Sequence, residues 1–399
     1  MRFLLVVPPL AGHVAPLRGV AAALVGRGHT VAWCGPEPEL SALTGVPALT
    51  GVPVAAGAPV LPPLPVLPVL SAGDSAPFAV ERRPAGLRGF AALKHLWEEY
   101  LVPLADAMVP GVAAAVSEFG PDVVVADQQA FAGALVAARA GLPWATSAST
   151  SAELGDPLAV MPKIGSWADG LQTRLRKRHG VEIGDLRFSP QLVLAFTTRA
   201  LAGQPAAKAG TAVRYVGPVP ATAPELPFPW EQLDGRPLVV VTLGTANAPA
   251  GRRFLLESAE ALSALPAVQG LVVDPSGAIG AEGILALERI PQTAVLGKAA
   301  AVVCHGGHNT VCETLAAGLP LVVAPIRDDQ SILADQVVAA GAGLRLRFDR
   351  AGATDIMAAV TAVLGRPRYR AAARGIAESF RTAGGAELAA DHLEALAAP

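Results

Sequence analysis

Short apolar runs with no polar alternation, each followed by a longer Ala- and Leu-rich stretch, recur along this chain in two separate series. The first holds "RFLLVV" (2–7), "TVAWCG" (30–35), "PDVVVAD" (121–127) and "LPWATSAS" (142–149), with helix-like stretches over 15–26, 103–118 and 128–140. The second restarts at "RPLVVVTLGT" (236–245) and continues through "VQGLVVD" (268–274), "AAVVCHGG" (300–307) and "LPLVVAPI" (319–326). A strand that is apolar on consecutive residues is buried on both faces, which is the condition of a parallel sheet covered by helices on either side. An α/β chain with two Rossmann-like parallel-sheet domains is therefore expected. Its 399 residues also exceed what one core usually organises.

Between the series lies "YVGPVPATAPELPFPWEQLDGRP" (215–237), whose prolines cannot enter a regular element. It is expected to link an N-terminal domain, residues 1–214, to a C-terminal domain, residues 238–399, whose last helix has the option of packing back on the first domain. Two such domains are expected to face a central cleft. Ligands of open parallel sheets bind beyond the carboxyl ends of the strands, so the strand-to-helix junctions are where site residues are sought. Residues 45–86 break the pattern, being dense in Pro and Gly yet apolar; they suit a long surface loop or the lining of a pocket for a greasy ligand.

Lys plus Arg (31) nearly balance Asp plus Glu (33), and no basic run occurs, so a nucleic acid or an anionic membrane surface is not the expected partner. No stretch of about 18 uninterrupted apolar residues offers a membrane span, and "MRFLLVVPPLAGH" suits a buried first strand better than a signal peptide. Cys34, Cys304 and Cys312 suggest no disulfide framework. A cytoplasmic location is expected, and a homodimer is compatible with everything above.

The densest cluster of chemistry is "HGGHNTVCETLAAG" (305–318). After the strand "AAVVC", His305, Gly306 and Gly307 carry the chain into a helix starting near His308 or Asn309. A helix start favours an anionic group, through its N–H groups and the positive end of its dipole. Glycines let that group approach the backbone; Asn309 and Thr310 add donors, and His305 can donate or carry positive charge. A tight strand-to-helix connection is the plainer alternative. Downstream, "PIRDDQ" (325–330) sets Asp329 and Gln330 at another such junction, where a carboxylate beside a carboxamide can bind neighbouring hydroxyls or serve as a turn or cap. In the first half, "LAGHVAP" puts His13 at a helix front near Val14 or Ala15, either as a cap or as a neutral general base. Asp127 ends "PDVVVAD" as a helix cap or as the carboxylate behind such a base.

Together "IPQTAVL" (290–296), "HGGHNTVCETLAAGLPLVVAP" (305–325) and "DQ" (329–330) resemble the donor-binding signature of the inverting GT-B glycosyltransferases that use nucleotide sugars, the family of plant and antibiotic glycosyltransferases. "GHVAP" (12–16), "VGP" (216–218) and "VTLGT" (241–245) fall in that family's order, so the resemblance covers nearly the whole chain. It implies that His305, Asn309 and Thr310 contact the donor diphosphate at the Gly306–Gly307 turn, with Gly12 and Thr245 counted to the donor site. It implies that Glu313 binds the nucleoside sugar, Asp329 and Gln330 the transferred sugar, and Ile290 and Gln292 the base. Arg289 departs from the pattern, standing where plant relatives stack a tryptophan on uracil. The resemblance also implies a His13–Asp127 dyad that deprotonates an acceptor hydroxyl, and direct displacement implies inversion.

The segment 124–150 is similar to actinobacterial natural-product enzymes of the enediyne or macrolide type, which favours a dTDP-sugar, and a deoxysugar, over a UDP-sugar. The partners implied are that nucleotide sugar and an apolar secondary metabolite, with no cofactor. The chain has no Asp-x-Asp motif and no metal-ligand spacing, so no metal is expected. Phe90, Leu93 and Trp97 recur at helical spacing; they are core residues by default and acceptor contacts if residues 45–100 line the acceptor site. His95, His179 and His392 are taken as packing or surface residues. Two other functions stay open: a non-catalytic subunit on the same fold, and a dinucleotide-dependent oxidoreductase, disfavoured because the first strand leads into "PPLAGH" and not a Gly-x-Gly-x-x-Gly turn.

Overall fold

The computed structural model describes residues 1–44, 67–79, 87, 89–206, 212–220, 226–244, 248–280 and 282–398, the side chains of 248–250 excepted. The chain divides into two compact units, Met1–Thr198 with Gln204–Thr222 and Ala383–Pro399, and Arg199–Gly203 with Ala223–Thr382.

In the first unit the strands β1 (Arg2–Val6), β2 (Thr30–Glu37), β3 (Val69–Asp74), β4 (Val123–Asp127), β5 (Trp144–Ala148), β6 (Leu192–Ala195) and β7 (Val213–Tyr215) form one sheet in the order β3-β2-β1-β4-β5-β6-β7. All its pairings are parallel. Strand alternation sorts the side chains onto two cores. Phe3, Leu5, Val123 and Val125 pack toward the helix Ala11–Gly26, whereas Leu4, Val6, Val124 and Ala126 pack toward the helices Val102–Phe119 and Phe131–Ala140. The run of continuous apolar residues thus fills both faces, as a doubly covered parallel sheet requires.

The second unit repeats the plan with β8 (Leu238–Thr242), β9 (Gln269–Val273), β10 (Ile284–Leu287), β11 (Ala299–Cys304), β12 (Leu321–Val323) and β13 (Gly343–Arg345), in the order β10-β9-β8-β11-β12-β13, again parallel throughout. In each sheet the strand order reverses at one place, between β1 and β4 and between β8 and β11. Connections leave to opposite sides there and open a crevice above the strand ends.

Several expectations shift. Val69–Asp74, within the stretch taken as loop, is an edge strand paired to β2 in the register Cys34↔Leu70; an edge needs only one bonding side, so a flanking proline does not forbid it. The remainder of that stretch, 45–66 and 80–86, lies outside the described residues. The first helix begins at Ala11, ahead of Val14, because the His13 and Val14 N–H groups already bond to the Leu10 carbonyl. Tyr215 and Val216, at the head of the proline-rich stretch, belong to the first unit, where Val216 is fully buried and donates to Ala195 O at 3.0 Å.

The helix Gly385–Ala397 also belongs to the first unit, burying Ala389, Ala390 and Leu393 in the core beside Ala11–Gly26. Arg27 grips it through Glu387 (2.6 Å), Asp391 (2.6 Å) and Glu394 (2.9 Å), and His29 Nε2 lies 2.6 Å from Glu394. Among the described residues, the helical run Gly89–Phe119 is long and apolar enough to cross a membrane. It is a core helix here, with Leu104, Met108 and Val112 wholly buried.

Candidate active site

The reversal point of the first sheet places β1 beside β4 with Val6 opposite Ala126, so the loop leaving β1 and the last residue of β4 emerge together. His13 is the third residue of the helix that follows β1. Its Nδ1 lies 2.9 Å from Asp127 Oδ1, which also accepts the Gln129 N–H at 2.9 Å. Asp127 is 1% exposed, and its Oδ2 has no hydrogen-bond partner in the protein. It is not the cap of the following helix, whose N-cap is Ala130. An ionised carboxylate only accepts, so this pairing puts the neutral ring's proton on Nδ1 and leaves Nε2 as the nitrogen able to take one. A second oxygen meets the same Nδ1: Ser149 Oγ, at 2.7 Å, from the residue just beyond β5. Ser149 escaped the sequence reading, lying in a run of hydroxyl residues with nothing to single it out.

The reversal point of the second sheet is built alike. β8 and β11 are neighbours with Thr242 opposite Cys304, so Leu243 and Gly244 leave beside His305. The imidazole is buried between glycines. A Cβ on Gly244 would sit 3.0 Å from His305 Cε1, and one on Gly307 only 2.4 Å from Nε2. Gly306 makes the turn itself with φ +88°, and a Cβ there would meet Val323 at 2.8 Å. Burial pushes His305 down to about 4; the Thr242 backbone pulls against this and the positive Arg327 adds to it. The ring is therefore neutral near pH 7, which favours the hydrogen-bonding one of the two expected roles over the charged one. Its Nδ1 is buried with no partner of good hydrogen-bond geometry.

The helix His308–Ala316 starts directly after Gly307, with no side chain capping it, and Asn309 and Thr310 stand in its first turn. One turn on, Glu313 accepts a hydrogen bond from Gln292 Nε2, and burial raises its carboxyl while Gln292 opposes. Gln292 opens the helix Gln292–Leu296, and the neighbouring Ile290 side chain is buried in the core. Asp329 is the N-cap of the helix Gln330–Ala339. Gln330 is buried, and its carboxamide oxygen accepts the Ile326 (2.9 Å) and Arg327 (3.1 Å) N–H groups. Its oxygen is spent on holding the loop that leads into the helix.

The structure thus gathers two groups, His13 with Asp127 in the first unit and His305 through Gln330 in the second. Gly12 lies in the first unit beside His13, and Thr245 lies outside the described residues. Of the expected acceptor contacts, Phe90 is 48% exposed with its ring edge-on to Trp167 at 5.4 Å, and Leu93 is partly buried against the core. Trp97 is buried in a π-helical turn, Leu96–Leu101, against Phe131 (5.7 Å) with the Arg187 guanidinium over its ring. His179 pairs with Asp106 at 2.8 Å, a packing role. Among the described residues no group of His, Cys, Asp and Glu is arranged to hold a metal ion.

Comparison with known proteins agrees with this architecture. Residues 277–396 match the family described as "Erythromycin biosynthesis protein CIII-like, C-terminal domain". The chain is 31% identical to 4'-demethylrebeccamycin synthase of Lentzea aerocolonigenes over 442 aligned positions, covering 99% of each. The fold superposes on the glycotransferase of kitacinnamycin with a TM-score of 0.78 at 22% identity, covering 100% of this chain and 99% of that one. It superposes on the spinosyn rhamnosyltransferase complexed with thymidine diphosphate with a TM-score of 0.74 at 22% identity, covering 99% and 100%. Full-length kinship on a two-sheet GT-B fold leaves one assignment: the chain belongs to the GT-B glycosyltransferases of natural-product biosynthesis.

Proposed function

We propose that this glycosyltransferase moves a sugar, a deoxysugar in the favoured case, from a dTDP-sugar to a hydroxyl of an apolar secondary metabolite, with inversion and without a metal. The observation that carries the reading is the 2.9 Å contact of His13 Nδ1 with the buried Asp127. It orients Nε2 to take the acceptor proton and stabilises the imidazolium that forms. The deprotonated oxygen attacks the anomeric carbon, the bond to the donor phosphate breaks, and the nucleoside diphosphate carries away the electron pair. His305 and the first turn of His308–Ala316 hold that diphosphate through hydrogen bonds and the helix dipole. Gln292 steadies Glu313 for the hydroxyl of the nucleoside sugar, and Asp329 with Gln330 Nε2 reads the transferred sugar.

Thymidine diphosphate in the structurally similar spinosyn enzyme supports the choice of base. The segment 45–100 keeps its proposed part in acceptor choice on its apolar composition alone. Calorimetric titration with dTDP, UDP and NAD tests the reading. Tightest binding of dTDP is expected, and binding of NAD alone would overturn it. Transfer is expected to survive excess chelator, whereas complete and reversible loss on chelation would refute the metal-free mechanism.

A further inference from the structure

We propose that Ser149 is a positioning residue for His13, sharing the Nδ1 proton with Asp127 so that the ring is held both from β4 and from the residue that follows β5. The proposal rests on the reading of His13 as the base. The argument begins with what Nδ1 can do. It has a single in-plane position, holding either a proton or a lone pair, yet two oxygens sit within hydrogen-bond distance: Asp127 Oδ1 at 2.9 Å and Ser149 Oγ at 2.7 Å. Were the serine hydroxyl to donate to a bare Nδ1, the Asp127 carboxylate would face a nitrogen lone pair, two acceptors in contact. An ionised Asp127 therefore selects the other arrangement, in which Nδ1–H donates to both oxygens as a three-centre bond and Ser149 accepts.

The sheet explains why these two oxygens converge. Asp127 stands opposite Ser147 in the β4–β5 register. Ser149 continues that alternation two residues on, toward the same face as Val123 and Val125, which packs against the helix carrying His13. Ser149 is 4% exposed, so its hydroxyl is largely shielded from bulk water. Asp127 fixes which nitrogen carries the proton, and it holds Nδ1 from the β4 side. A second acceptor, just beyond the end of the adjacent strand, holds the same nitrogen from the β5 side and helps to keep Nε2 aimed in one direction.

The test needs no substrate. Nitrogen-15 spectra of the histidine side chains, with the His13 signals identified by their loss in His13→Gln, report which nitrogen is protonated and the pH midpoint of ring protonation. The wild type is expected to hold its neutral-state proton on Nδ1. In Ser149→Ala the proton is expected to stay there, held by Asp127, while the midpoint falls by about one unit. The imidazolium loses one acceptor, and a unit corresponds to about a tenfold weaker preference for the charged form. Ser149→Thr, which restores the hydroxyl, is expected to return the midpoint toward the wild-type value. A rise in the Ser149→Ala midpoint would mean that Ser149 donates, and an unmoved midpoint that it merely packs; either overturns the proposal. Because the readout is not turnover, failure of the base assignment shows separately, as retained transfer by His13→Ala.

Discussion

The imidazole of His305 lies so close to Gly307 that a methyl group at position 307 would stand 2.4 Å from its Nε2. The backbone there has φ −63°, which any residue adopts, so the need for glycine comes from the ring alone. Gly244 closes the other side of the ring, at φ +68°. Gly307→Ala is therefore expected to expel the imidazole from its bed without disturbing the start of the helix. Losing the hydrogen bond that His305 is proposed to give the diphosphate should cost about 1.5–3 kcal/mol, weakening dTDP binding by roughly ten- to a hundredfold. His305→Ala is expected to do the same. Calorimetry on both variants checks this, and unchanged affinity would remove His305 from the donor site.

The low protonation midpoint of His305 has a consequence for stability. It is held at about 4 in the folded chain against 6.5 when unfolded, so between those values the unfolded state binds the extra proton. Stability from this group is full above about pH 6.5, falls as the pH drops toward 4, and the loss reaches about 3 kcal/mol. His305→Gln is expected to lack that part of the acid sensitivity. Denaturant unfolding of both proteins at pH 7, 5.5 and 4.5 measures the difference, and parallel curves would show that the ring is not buried in its neutral form.

Why some of this was legible in the sequence and some was not has a physical basis. Asp127 and His305 stand at the ends of strongly apolar strands, where burial makes a polar residue conspicuous and the sheet fixes its place, and His13 stands at the front of the helix that follows such a strand. Ser149 sits in "TSASTSAE" (146–153), where four other hydroxyl residues look the same, and only the pairing of β4 with β5 tells them apart. Gln330 was visible as a polar residue after a strand, but not the fact that its oxygen ties down the loop of Ile326 and Arg327. The edge strand β3 is masked by the Pro- and Gly-dense stretch it closes, and the short strands β6 and β7 carry too few residues for a period to emerge and depend on their neighbours to exist. The neutrality of His305 is likewise a property of its burial, which no local pattern encodes.

The closing helix is expected to be part of the first unit's stability. Leu393 is fully buried with Ala389 and Ala390 among Leu17, Val20 and Leu24. Leu393→Ala should cost about 2–5 kcal/mol, from lost transfer energy and the cavity left behind. Arg27→Ala, which removes partly exposed, solvent-screened ion pairs to three carboxylates, should cost clearly less. Chemical unfolding of the two variants separates them, and equal losses would mean that the charges, and not the apolar face, hold the helix.

The sharpest expectation concerns the dyad. His13→Ala is expected to abolish transfer while leaving dTDP affinity nearly unchanged, since the side chains proposed to hold the nucleotide, those of His305, Asn309, Thr310 and Glu313, lie in the other unit of the chain. A general base contributes on the order of 10²–10⁴ in rate, and Asp127 shares that contribution through the ring nitrogen it faces. Asp127→Asn is nearly isosteric, yet its amide can turn an N–H toward His13 Nδ1, 2.9 Å away in the native pairing. That would stabilise the tautomer with the proton on Nε2, which cannot accept another. Asp127→Ala removes the carboxylate without supplying such a donor. The asparagine variant is therefore expected to be no faster than the alanine variant, despite keeping its fold better. Steady-state turnover with a hydroxyl acceptor, set beside melting temperatures, measures both quantities. A clearly faster Asp127→Asn enzyme would mean that the carboxylate serves as a mere spacer and not as the group that fixes the proton on Nδ1.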